Sequence, residues 1–183
     1  MHQLLLYDPR HGVVAIDDPP PSVAGVIHLG TKGFNLVRLQ RLGFRVPPGF
    51  IITTEVFRCR EVIETYEPAR RNFHEQVLAH LKRLEEKTGL RFGDPRRPLL
   101  LSVRSGASIS QPGMMDTLLN VGNNEAVTRG LAERTGNPWF AWDCYRRFLQ
   151  SYGMAHDLAR DAFDAVIDAC KKRWGVPLKR LLS

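Results

Sequence analysis

The chain has 183 residues, 43% of them hydrophobic and 25% charged, and its 26 basic side chains outnumber 19 acidic ones for a net charge of +7. A chain of this length buries roughly 70% of the surface its unfolded form exposes, so it folds as one ordinary domain or two small lobes without help from a disulfide or metal. The balance excludes disorder, collagen and coiled coil as overall descriptions, and apolar runs such as Leu99–Leu101 and Phe50–Ile52 fall far short of a membrane span.

In chain order, the N-terminus lacks a basic segment before its apolar residues and reaches Asp8 early, so it is not read as a signal peptide. Leu4–Tyr7 is a short strand candidate. Pro19-Pro20-Pro21 is a stiff, extended connector. A glycine-flanked loop, Ile27–Gly33, leads into a helix over about Phe34 to Leu42, with Leu36, Leu39 and Leu42 on one face. Gly43 is placed to end that helix in the left-handed conformation. Val46-Pro47-Pro48-Gly49 forces a turn, and Phe50–Thr53 reads as a short buried strand. Thr53 or Thr54 can cap the next helix, with Glu55 in its first turn and Pro68 as the interruption after Tyr66. A second helix places Phe73, Val77, Leu81 and Leu84 on one face and ends at Gly89. Leu99–Val103 and Thr117–Val121 are strands flanking the polar loop Arg104–Met115. Beyond Asn124 the pattern is helical only: Glu125–Arg134, Trp139–Tyr152 and Leu158–Trp174, whose apolar stripes read as core. The expected organisation is an extension over residues 1–25, an α+β lobe over 26–123 and a helical subdomain over 124–183.

Cys59, Cys144 and Cys170 fit no zinc spacing, and their odd number argues against a disulfide framework. Reduced, buried thiols are expected. The six histidines stand apart from cysteines and carboxylates, so no metal site made by this chain is expected. The positive charge comes in pairs such as Arg70-Arg71 and Arg146-Arg147, densest at Lys171-Lys172-Arg173. Solvated helix faces explain these pairs; no aromatic interleaving or reading motif points to nucleic acid.

Two loops offer chemistry. Gly30-Thr31-Lys32-Gly33 brings flexible backbone, a hydroxyl and an ammonium to the start of a helix, where the positive dipole end attracts phosphate. It does not follow the P-loop pattern, and read alone it is a tight turn into a helix. The second loop places Arg104 just past a strand, followed by Ser105, Gly106, Ala107 and Ser108. Small residues let backbone approach a ligand, and an arginine there can fork onto phosphate. A surface hairpin with Arg104 in an ion pair is an equal reading of the same residues.

Several blocks, in order, resemble the pyruvate, phosphate dikinase family and, more distantly, its phosphoenolpyruvate synthase relatives. Leu29–Leu36 is similar to L-G-G-K-G-A-N-L, and Gly43–Phe50 to G-x-x-V-P-P-G-F. Ser102–Ala107 with Pro112–Thr117 is similar to S-V-R-S-G-A…P-G-M-M-D-T, and Trp139–Phe148 to W/F-A-x-D-x-Y-R-R-F. The resemblance spans about Val26 to Trp174. It implies an α+β fold, an incomplete ATP-grasp-type nucleotide-binding lobe with an inserted helical subdomain. It further implies a phosphotransferase whose ATP phosphorylates a histidine on another domain, on the way between pyruvate and phosphoenolpyruvate, with orthophosphate as second acceptor. A cytoplasmic location is expected separately, because neither a signal peptide nor a membrane span is read in the sequence. Lys32 and Arg104 map onto its phosphate ligands, and Gly113 onto a loop over the phosphates. Backbone around Gly106 is expected to join them. The chain departs from the pattern at Thr31, Ser108 and Gln111.

The family's Mg²⁺ ligands and its phosphorylated T-x-H-A histidine are expected outside this chain. Alone, the chain is expected to be folded, to bind ATP weakly if at all, to be catalytically incomplete and to be prone to form a homo-oligomer, with no nucleic-acid or membrane partner. The alternative is a non-catalytic relative that serves as a binding or regulatory module.

Overall fold

The computed structural model describes residues 10–105 and 117–177, which divide into two compact units: 10–89, and 90–105 with 117–177. The fold is mixed α+β and mostly helical, with two small two-stranded sheets. The strand candidate Leu4–Tyr7 lies outside the described residues.

In the first unit, β1 (Val13–Ala15) pairs antiparallel with β2 (Phe50–Ile52), Val14 opposite Ile51. Val13, Val14, Ala15 and Ile16 are all buried, as a short continuous apolar run allows when both faces of a strand are covered. Val14, Ile16, Val23, Leu29 and Val37 form the core, with Phe34, Leu36, Val46 and Ile51 packed against it. Pro21–Val23 forms a 3-10 turn that buries Val23, and Asp17 pairs with both Arg83 and Lys87. The hydrogen bond from Lys87, with help from Arg83, holds the Asp17 carboxyl below its usual range.

α1 (Val26–Arg41) starts earlier than expected and contains the glycine loop. Its buried residues are Leu29, Gly30, Gly33 and Val37, while Leu39 and Leu42 are exposed. Leucines three apart lag the helix by about 60° at each step, so the stripe drifts off the packed face. Gly43 closes the helix at φ 84°.

The next helix is two, α2 (Thr54–Arg58) and α3 (Arg60–Thr65), joined at Cys59. Thr53 occupies the cap position without capping; its hydroxyl instead donates to the His11 carbonyl at 2.8 Å. α4 (Glu67–Thr88) accepts Pro68 in its first turn, where a missing N–H costs nothing, and ends at Gly89 with φ 67°. Phe73 packs against Cys59, Val62, Ile63 and Ala69.

The second unit opens with a tight loop. The N–H groups of Arg96 and Arg97 donate to the Asp94 carboxylate, at 2.6 and 3.2 Å, and lower its pKa. β3 (Leu101–Arg104) and β4 (Thr117–Val121) form an antiparallel hairpin with a bulge where Asn120 takes φ 61°. α5 (Glu125–Thr135) is capped by Asn124, whose side chain accepts the Val127 N–H at 2.9 Å. Val127 and Thr128 are fully buried. α6 (Pro138–Ala155) is capped the same way by Asn137, and its Ala141 is fully buried.

The core reading of the later helical stripes needs correction. Leu149 and Tyr152 of α6 are exposed, and α7 (Arg160–Trp174) buries none of its residues. Phe163 and Ile167 are half-buried, and the rest of the stripe faces outward because no other described residue covers it. The expectation of buried thiols fails in part for the same reason: Cys59 is buried, Cys144 half-buried and Cys170 exposed, all of them free. Burial pushes the Cys59 and Cys144 thiols up, away from the reactive thiolate.

Candidate phosphate-binding site

The glycine loop is a break inside a helix. Val26–Leu29 make one turn, with the His28 and Leu29 N–H groups donating to the Gly25 carbonyl at 3.1 and 3.0 Å. Gly30 then takes φ 65° and ψ 166°, a backbone region open in practice only to glycine. A second helical segment starts at Thr31, so its positive dipole end lies at Thr31, Lys32 and Gly33. Thr31 itself keeps helical dihedrals: Gly30 alone carries the left-handed turn, which is why a β-branched residue is tolerated beside it.

Gly33 is buried because a strand lies close. A Cβ there would sit 2.9 Å from the Ile51 Cδ1 of β2. Four residues on, Val37 anchors the segment in the core. Lys32, between the break and this anchor, is exposed. The sequence thus places an exposed ammonium on the first turn of a helix that two packed positions hold firmly.

Arg104 is the last residue of β3, paired with Thr117, and is exposed. Arg104 belongs to the second unit and Lys32 to the first. Gly106 and Gly113 lie outside the described residues, as do Met114, Met115 and Asp116. Among the described residues no three His, Cys, Asp or Glu side chains converge as a metal site. No described helix is long and apolar enough to cross a membrane.

Two neighbours of the loop, Thr54 and Glu55, belong by sequence pattern only to the start of α2. The Thr54 hydroxyl donates to the Ile27 carbonyl at 2.6 Å, and Glu55 lies 4.0 Å from His28 Nε2. Nothing in the local pattern signals this, because the partners are 27 residues apart in sequence.

No family model matches the chain. Curated relatives do. Over 149 residues the chain is 44% identical to the pyruvate, phosphate dikinase of Clostridium symbiosum, covering 81% of this chain and 17% of that protein. The chain is homologous to a segment of pyruvate, phosphate dikinase. The Giardia intestinalis dikinase is 47% identical over 150 residues, and that of Rhizobium meliloti 45% over 148 residues. The chain spans only 16% of the length of each of these two.

Proposed function

We propose that the chain is the N-terminal portion of a pyruvate, phosphate dikinase-like phosphotransferase, an ATP-grasp-type lobe with a helical subdomain, and that its role is to hold ATP phosphates. The observation that carries this reading is the Gly30 break, which sets exposed Lys32 at a helix start in a chain homologous to the dikinases. Lys32 acts as a compact point charge on phosphate oxygens, supported by the dipole of the segment behind it. Arg104 offers a planar fork to a phosphate, with backbone at Gly106 and Gly113 as further donors. ATP supplies the phosphoryl group. Transfer to a histidine on another domain, and the later exchange with pyruvate and phosphoenolpyruvate, belong in this reading to a longer protein that also supplies the Mg²⁺ ligands.

The test is calorimetric titration of the chain with ATP and with adenosine. Lys32→Ala is expected to remove a charge-assisted hydrogen bond of about 1.5–3 kcal/mol from ATP binding and to leave adenosine binding unchanged. Parallel losses for both ligands would assign Lys32 to the fold or the base pocket instead. Arg104→Lys keeps the charge but loses the fork, and ATP affinity should fall roughly tenfold with an unchanged circular dichroism spectrum. Equal affinities for this variant and wild type would remove Arg104 from the site.

A further inference from the structure

The Gly30 break has little stiffness of its own, since glycine adopts many conformations at similar energy. Its angle is set by whatever holds the two sides. On the downstream side, Ile51 of β2 lies against Gly33, and Val37 is buried in the core. On the upstream side, α2 holds the single turn. The Thr54 hydroxyl donates to the Ile27 carbonyl at 2.6 Å. Beside it, the Glu55 carboxylate lies 4.0 Å from His28 Nε2 and is itself held by Arg58 at 2.9 Å. In an unbroken helix, the Ile27 carbonyl would be the acceptor for the Thr31 N–H. The Thr54 hydroxyl therefore engages the helix at the carbonyl facing the break. One continuous piece of chain, Ile51 to Glu55, grips both sides of Gly30.

From this geometry we infer that Thr54 is a positioning residue for the phosphate loop: its hydrogen bond to Ile27 fixes the Gly30 break and thereby the place at which Lys32 presents its ammonium. The inference rests on the reading of Lys32 as a phosphate ligand. Thr54 touches no phosphate itself. Its own helix does not use the hydroxyl, because the cap position belongs to Thr53. The bond lies near the surface, so its removal bears little on global stability.

The experiment compares Thr54→Val, which keeps shape and loses the hydroxyl, with Thr54→Ser, which keeps the hydroxyl, in the full chain. Thr54→Val should weaken ATP binding about fivefold, leave adenosine binding and melting temperature unchanged, and speed amide hydrogen exchange over residues 27–33 without nucleotide. Thr54→Ser should restore both affinity and protection. In a Lys32→Ala background, Thr54→Val should weaken ATP binding no further, since it acts through Lys32. Wild-type affinity in Thr54→Val, an undiminished effect in the Lys32→Ala background, or a Ser variant no better than Val would each overturn the inference. If Lys32→Ala itself leaves ATP binding intact, the phosphate reading fails and the inferred role of Thr54 in presenting Lys32 falls with it. The exchange data then decide separately whether Thr54 fixes the break, and unchanged protection in Thr54→Val would show that it does not.

Discussion

Gly130→Ala is expected to lower the melting temperature of the 183-residue chain by roughly 4–8 °C. A Cβ at Gly130 of α5 would stand 2.0 Å from the Pro95 carbonyl oxygen and 2.8 Å from its carbon. Backbone at such a distance must move, and it is tied on both sides. Asp94 accepts the N–H groups of Arg96 and Arg97, and the Arg91 N–H donates to the Arg97 carbonyl at 2.7 Å. The Arg134 guanidinium of α5 also donates to the Arg96 carbonyl at 3.2 Å. Overpacking of this kind costs up to about 3 kcal/mol, against a helix-propensity gain for alanine of about 1 kcal/mol. The net loss of ~2 kcal/mol converts at about 2–4 °C per kcal/mol. Thermal unfolding followed by circular dichroism checks it, and a variant as stable as wild type would show that α5 and the Pro95 loop stand further apart.

Gly30→Ala should cost both stability and binding. The native φ of 65° with ψ 166° costs an alanine about 1–3 kcal/mol. Straightening the break into one regular helix would recover only about 1 kcal/mol of propensity, and it would draw Leu29 from the core and break the Thr54–Ile27 hydrogen bond. With neither route free of cost, the melting temperature should fall by roughly 2–12 °C, at about 2–4 °C for each kcal/mol. The ammonium of Lys32 and the dipole end at Thr31–Gly33 would no longer face the same point, and ATP affinity should fall at least tenfold, about 1.4 kcal/mol or more. Titration of the variant with ATP, beside its thermal melt, tests both halves. ATP binding as tight as wild type would mean that the break does not present the phosphate ligands.

How far the sequence disclosed this fold depends on how local the cause was. The ends of α4 were legible because Pro68 and Gly89 act through their own backbone, and β4 was read over its full length. β1 was missed because Val13–Ile16 shows no alternation, and its burial comes from β2 and from the Gln76 side chain of α4, which accepts the Val13 N–H at 3.1 Å. The junction of α2 and α3 at Cys59 has no glycine or proline to announce it. At the site, motif resemblance singled out Lys32 and Arg104, and the structure puts both at exposed ends of elements. Only the fold shows that Gly30 bears the turn and that Thr54 reaches back to Ile27.

Helix α7 illustrates what amphipathicity leaves open. The pattern says which side of a helix could be covered, and packing decides whether it is. Its firmest seat is at Gly153 of α6, where a Cβ would come within 2.5 Å of Phe163. With no fully buried side chain beyond that contact, α7 can peel away while α5, α6 and the hairpin keep their own interior. The free energy of that opening lies well below that of global unfolding. The turn His156–Ala159, which leads into α7, is therefore a fault line at which a protease would cut and amide exchange would enter before either reaches the interior of α5 and α6.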